Sequence, residues 1–439
     1  MITRRDTLRL AVLAALASPM LTACGSDDPK KQGGGGAVAG RLELVSSDRD
    51  RMPGDPGAIP GVVAAMQRFA GGLYGGLPAE GNLIVSPYSV AVALGMTLTG
   101  AGGATAEEMR AVLGADDRFH AGLNALTAHV EALAGRQERA DGSKAEIDLA
   151  AANQLFGQAG VRWEQPFLDL LAEDYGAGLR TVDFETATED ARVLINDWVE
   201  KQTHDRIEDL IPAGVLDVMT RLVLVNAIYL KAPWETPFTK ELTTQAPFHR
   251  VGGSTVEVEM MAGAATSGPL TKGDGWQATR LPYAGNQLAM TVVLPDEGRF
   301  AEVESQFADG ALADAMTGGR PTGIDVRLPR WKHRTAASLK EVLVDLGMPT
   351  AFAPGAADFR PMTEADLDLY ISAVLHQGFI AVDEEGTEAA AATAVVISDT
   401  SAMIAEPFVV DRPFLYVIHD VEHGTPLFLG RVLDPTQEG

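Results

Sequence analysis

The sequence predicts an α+β body. Segments with helical spacing come mostly early in the chain and apolar strand-like runs mostly late, rather than alternating as a doubly wound parallel sheet requires. From about residue 60 the composition is even and no internal repeat is visible. Hydrophobic residues make up 46% of the 439, enough for a sizeable core. Cys24 is the only cysteine, so no disulfide braces that body and packing must hold it.

The N-terminus reads as an export leader. Arg4 and Arg5 open it, the apolar run Leu10–Leu16 follows, and Leu21-Thr22-Ala23-Cys24 closes it. The apolar run is too short to span a bilayer permanently. Leu21–Cys24 resembles the bacterial lipoprotein box, in which the cysteine is lipidated and becomes the new N-terminus, and Thr3–Arg9 resembles a twin-arginine export signal. The plainer reading is a secretory signal with a chance cysteine. We expect residues 1–23 to be removed. Cys24 would then hold the protein on a membrane, outside the cytoplasmic membrane or at the outer membrane or cell surface. Residues 24–58, with Gly33–Gly36 and Pro53 and Pro56, form a flexible tether. The body is 59–439. Loss of three arginines and one aspartate with the leader takes the formal charge from -25 to about -27. Such an acidic chain argues against nucleic acid and heparin-like partners, which need clustered Lys and Arg.

Within the body, Val62, Met66, Phe69 and Leu73 recur at helical spacing. Asn82–Val85 is a short apolar strand, after which Pro87 opens a helix to about Leu98. Thr105–Glu108 marks a helix start with early acidic residues. Ile195–Glu208 is an amphipathic helix. Arg221–Tyr229 is a continuous apolar strand of the kind buried on both faces. Ala289–Leu294 and Ile371–Val382 are further strands. Arg136, Arg139 and Lys144 are scattered over a loop and read as a solvated face.

Asp383–Ser401 is the most informative stretch. Thr387, Ala389, Ala391, Thr393, Val395 and Ile397, every second residue, are small or apolar and would line one face of a strand. Glu384, Glu385 and Gly386 before it read as flexible. Alanine is the best helix former, so Ala389–Ala394 alone would favour a helix. A mobile segment carrying a strand's inner face instead suggests a loop built to be inserted into a sheet.

Several separated motifs resemble the serpin family, over roughly residues 60–436. They are Asn82–Ser89, Asn196–Thr203, Leu222–Glu235, Leu281–Tyr283, Val293–Glu297, Leu339–Leu343 with Leu346–Met348, Asp411–Phe414 and Leu427–Arg431. The most specific is the hinge Glu384–Ala392, comprising Glu384, Glu385, Gly386, Thr387, Glu388, Ala389, Ala390, Ala391 and Ala392. The resemblance implies helices around a large mixed central sheet, smaller sheets, and an exposed reactive-centre loop at about 384–407. It implies an inhibitor rather than an enzyme, without cofactor, monomeric, whose partner is a protease of the serine or the cysteine class. The protease attacks the loop, and the cut loop enters the large sheet and distorts the bound enzyme. Roughly a dozen new ladder hydrogen bonds at about 0.5–1.5 kcal/mol each supply on the order of 10 kcal/mol. Family spacing from Gly386 sets the reactive bond at Thr400–Ser401, with Met403–Ile404 as the alternative. A small β-branched residue such as Thr400 suits an elastase-like pocket, and subtilisin-like enzymes fit as well. The resemblance also implies a polar shutter of Ser86, Ser89, Asn226 and His376 beneath the sheet, and Trp234 at the breach where the loop enters. Taken alone, His376 reads as a satisfied core histidine and Trp234 as simple packing.

His419, Glu422 and His423 fit the His-x-x-Glu-His pattern of one zinc peptidase class. That chemistry needs a helix. Here apolar strands flank Gly424-Thr425-Pro426, so the motif falls in a hairpin connection and we expect no metal there. Two rivals remain: a non-inhibitory serpin acting as a binding protein or chaperone, and a hydrolase using Ser86 or the His419/His423 pair.

Overall fold

The computed structural model describes residues 41–438, apart from 267, 318–319, 322, 364–366 and 389–404. Cys24, the leader and tether residues 24–40 lie outside the described residues, whereas Glu43–Val45, inside the stretch expected to be a flexible tether, is a strand paired with Leu179–Thr181 of the body. In chain order the elements begin with β1 (Glu43–Val45), α1 (Ile59–Gly75), β2 (Leu83–Val85), α2 (Pro87–Leu98), α3 (Gly103–Leu113) and α4 (Phe119–Ala132). Then come β3 (Gly135–Glu138), β4 (Lys144–Gln158), α5 (Gln165–Tyr175), β5 (Leu179–Val182), α6 (Thr188–Gln202) and β6 (Leu222–Pro233). The second half holds β7 (Thr244–His249), β8 (Thr255–Thr266), β9 (Pro269–Gly273), β10 (Trp276–Pro282), β11 (Leu288–Pro295), α7 (Phe300–Gln306), α8 (Leu312–Thr317), β12 (Arg320–Pro321), β13 (Ile324–Pro329), β14 (Trp331–Ser338) and α9 (Lys340–Asp345). It closes with β15 (Ala373–Val382), β16 (Gly386–Thr387), β17 (Glu406–Val409), β18 (Phe414–Asp420) and β19 (Pro426–Val432).

Among the described residues the strands form three sheets. The largest runs β1-β5-β4-β6-β16-β15-β14, with β3 paired to β4. It is mixed: β4 and β5 are parallel, as are β6 and β15, and its remaining pairs are antiparallel. A second sheet runs β12-β9-β10-β11-β18-β19-β2, and a third β17-β13-β8-β7. The helical and strand patterns find their partners here. Val62, Met66, Phe69 and Leu73 of α1 are all buried. So is every residue of α2, which lies in the core beneath the large sheet. On the opposite face, Ile195 and Val199 of α6 pack with Phe156, Val223, Val225 and Leu375 of that sheet. This two-sided cover explains why β6 reads as an unbroken apolar run.

Three sequence expectations need correction. The helix expected at Ile195–Glu208 is α6, which starts and ends earlier. Glu189 and Asp190 sit in its first turn, where the helix dipole favours acid. It stops where the Thr203 hydroxyl turns back onto the Val199 carbonyl and His204 and Asp205 take left-handed φ of 52° and 60°. The strand expected at Arg221–Tyr229 continues to Pro233. Arg136, Arg139 and Lys144 do not share a loop: Arg136 is in β3, Lys144 begins β4, and Arg139 lies in the turn between them with its Nε donating to the Trp234 carbonyl at 2.8 Å.

Candidate functional site: the hinge and the polar cluster under the large sheet

The two central strands of the large sheet are joined over only part of their length. β6 and β15 pair in parallel from Val223/Ala373 to Ile228/Gly378. Above that zone they diverge, and β16 fills the gap. Thr387 lies opposite Ala232 on one side and Val382 on the other, antiparallel to both. Gly386 is required by close approach to β6: a Cβ there would lie 2.3 Å from the Ala232 oxygen. Thr387 is buried, and its hydroxyl meets the Tyr283 hydroxyl at 2.6 Å. At Glu388 the chain leaves the sheet through a left-handed φ of 49°, unusual for a residue with a side chain. The Glu388 amide still donates to the Ala381 carbonyl at 2.7 Å, while its carboxylate pairs with Arg206. Burial pushes that carboxyl above its ordinary pKa. Ala389, Ala390, Ala391, Ala392, Thr400, Ser401 and Met403 lie outside the described residues.

The residues before β16, read as flexible in the sequence, are tied to their surroundings by several side chains. Asp383 accepts the amides of Glu385 and Gly386 on one carboxylate oxygen, at 2.9 and 3.2 Å. Glu384 is 1% exposed. Its carboxylate takes two hydrogen bonds from Arg330, at 2.8 and 2.7 Å, and another from the Thr243 hydroxyl. Burial alone would raise the Glu384 pKa, but these donors outweigh it and hold the carboxyl below its ordinary range. Glu385 pairs with Lys240 at 2.9 Å. Trp234 clamps the turn from below: its amide donates to Glu385 O at 2.8 Å and its indole Nε1 to Asp383 O at 3.0 Å. The indole also stacks on Tyr283, with ring centroids 4.6 Å apart. Trp234 therefore packs and holds the turn at once. Arg330, Thr243, Lys240 and Tyr283 were not foreseen in the sequence.

Beneath the paired zone, the structure brings together Ser86, Ser89, Asn226 and His376, each fully buried. Adjacent strands place Asn153, Asn226 and His376 in one row across β4, β6 and β15. Asn226 Nδ2 donates to Ser89 Oγ and to Asn153 Oδ1, both at 2.6 Å, and Ser89 Oγ reaches the same Asn153 oxygen at 2.6 Å. The Asn226 side-chain oxygen Oδ1 contacts His376 Nδ1, and His376 Nε2 accepts the Ser86 amide at 3.2 Å. This assignment makes the ring neutral, with its proton on Nδ1. Burial pushes the His376 pKa down to about 3. Ser86 is the N-cap of α2, accepting the Ser89 amide at 3.1 Å. Asn153 completes the cluster; a lone asparagine between alanines and a glutamine carries no periodic signal that could have marked it.

The hydrolase constellations do not assemble. His376 touches the Ser86 amide, and the Ser86 hydroxyl oxygen is the helix cap, so no nucleophile–base pair forms there. His419 faces inward, hydrogen-bonded to Thr291 at 2.9 Å, whereas His423 lies in the β18–β19 turn.

Comparison with known proteins agrees with this architecture. The family model described as serpin (serine protease inhibitor) matches residues 64–435. A serpin-like protein of Thermococcus kodakarensis is 36% identical over 381 residues, 85% of this chain and 86% of that protein. The leukocyte elastase inhibitor of Bos taurus is 36% identical over 388 residues, 85% of this chain and 99% of its own length. The crystal structure of Serpin48 from the insect Tenebrio molitor superposes with a TM-score of 0.75 at 30% identity, covering 87% of this chain and 99% of that one. With its motifs, sheet order and relatives in accord along nearly the whole body, the chain belongs to the serpin family.

Proposed function

We propose that this serpin inhibits an endopeptidase by inserting its own cleaved loop between β6 and β15. One observation carries the reading: Gly386 and Thr387 are already stitched between those two strands, antiparallel to both, as the first residues of a longer strand would be. Continuing that register sets Ala391 opposite Ile228 and Gly378, and Thr393 between Asn226 and His376. The small and apolar side chains of the alternating set then share the inner face with buried Thr387. Insertion separates the β6–β15 pairs, which the polar cluster ties together from below, and offers each freed strand a new partner.

The chemistry belongs to the protease. Its nucleophilic oxygen or sulfur attacks the Thr400 carbonyl carbon, the Thr400–Ser401 C–N bond breaks, and the Ser401 nitrogen leaves with a proton. Insertion then competes with water for the acyl-enzyme. Thr400 suits a shallow pocket, and the resemblance to an elastase inhibitor supports an elastase-like target, with subtilisin-like enzymes next. Export and lipid anchoring through Cys24 belong to the same proposal, supported by the leader's pattern.

Incubation with elastase-like and subtilisin-like proteases tests the reading. The expected product is an adduct that survives SDS, with a new N-terminus at Ser401. Loop cleavage without adduct overturns inhibition and leaves the non-inhibitory binder. A new N-terminus at Ile404 moves the reactive bond to Met403.

A further inference from the structure

The β18–β19 turn meets the last turn of α4. His129 of α4 and His423 of the turn approach edge to face, with ring centroids 4.7 Å apart. The Glu422 carboxylate lies between them, one oxygen 4.0 Å from His129 Nδ1 and the other 3.9 Å from His423 Nε2. One donor atom from each of the three residues can be chosen so that all lie within 4.8 Å of one another. Behind His129, the fully buried Asp420 presents Oδ1 3.3 Å from Nε2. That nitrogen is itself buried and makes no well-aligned hydrogen bond among the described residues. Asp420 is fixed in place, its two oxygens accepting the His423 and Thr425 amides at 2.7 Å each.

We propose that His129, Glu422 and His423 form a binding site for a divalent zinc-class cation, with Asp420 as the positioning residue. Two imidazoles and a carboxylate are donors that suit zinc and neighbouring transition metals rather than calcium or magnesium. Metal–ligand bonds of about 2.0–2.2 Å need donors somewhat closer than they now stand, and Glu422 is exposed enough to swing inward. With the metal on Nδ1, the His129 Nε2 proton points at Asp420, the carboxylate–histidine arrangement that fixes tautomer and ring orientation at such centres. The cation would pin α4 to a turn nearly three hundred residues later in the chain. The set differs from the peptidase pattern weighed in the sequence. His419 takes no part, and His129, far away in sequence, supplies the second imidazole.

The test uses the full chain carrying Cys24→Ser, so that the free thiol cannot bind metal, after chelator treatment. Titration with zinc chloride should show one saturable site, indifferent to excess magnesium. His129→Ala and His423→Ala should each weaken it by more than about a hundredfold, beyond the roughly 10–100-fold that loss of an outer partner commonly costs. Zinc should raise the thermal midpoint of the parent and not of His423→Ala. Cobalt(II) bound to the parent reads the ligands without any substitution at the site: a tetrahedral spectrum with nitrogen ligation supports the proposal. An aqua-like cobalt spectrum, no saturable zinc binding, or equal affinity in the His129→Ala/His423→Ala double variant overturns it and leaves a plain histidine–carboxylate cluster.

Discussion

On the proposed mechanism, Thr387 is the residue on which insertion turns. It is the last side chain of β16, buried under Tyr283, and the chain must extend past it in the same register. An arginine there would drive an unpaired guanidinium into an apolar, stacked site at a cost of several kcal/mol. Thr387→Arg should therefore shift the outcome from adduct to cleaved substrate, seen on a gel as the ratio of the two bands. A variant that traps protease as efficiently as the parent would sink the insertion argument. His376 shows the other side of residue-scale control. Its neutral ring accepts the Ser86 amide, which an imidazolium cannot do. Thr387 was legible from its place in an alternating set, and His376 only through what the family resemblance implies. Asn153 was not, because its role exists only once β4 lies beside β6.

At the scale of elements, the turn Asp383–Glu385 is the best-tied part of the hinge. Arg330→Ala would strand the buried Glu384 carboxylate. Arg330 is itself about a third exposed, so the loss is discounted to about 1–3 kcal/mol. Calorimetry should show a lower thermal midpoint. Part of the loss belongs to the exposed Glu259 partner, so Glu259→Gln serves as the comparison and should change little. Equal effects from both variants would mean that Glu384 does not depend on Arg330. The sequence made Glu384 look like solvent-loving polar chain because its partner lies 54 residues earlier, across a strand boundary. β6, by contrast, was readable at once, since burial on both faces leaves an apolar run that needs no partner to be recognised. The end of α6 was misjudged because amphipathic spacing persists past the point where the backbone turns left-handed.

For the whole molecule, buried histidines set the acid limit. Burial pushes His376 down to about 3, and His120, His333 and His419 each to about 4. All lie below the ordinary value, so below about pH 6.5 the unfolded chain binds more protons than the folded one. The stability they contribute is present above that pH and is lost as pH falls toward their folded values. Each can contribute up to about 1.4 kcal/mol per pH unit in that window. Urea midpoints measured from about pH 7 down to pH 5 should fall steeply, and His376→Gln should flatten the slope. A flat profile in the parent would mean that these rings take up protons as readily in the fold as in the unfolded chain.

The two flanks of residues 389–404 are fastened to different sheets. Thr387 belongs to the largest one, whereas Glu406–Val409 runs parallel to β13 in the smallest, with Glu406 salt-bridged to Lys272 at 2.9 Å. A single nick between these moorings therefore does not release two equivalent tails. The upstream fragment is left facing an opening already threaded by its own first stitches, and the downstream fragment stays berthed where it was. If the proposed insertion holds, the direction of travel, and hence which fragment would carry an ester-linked passenger across the molecule, is written into the anchorage before any cut is made.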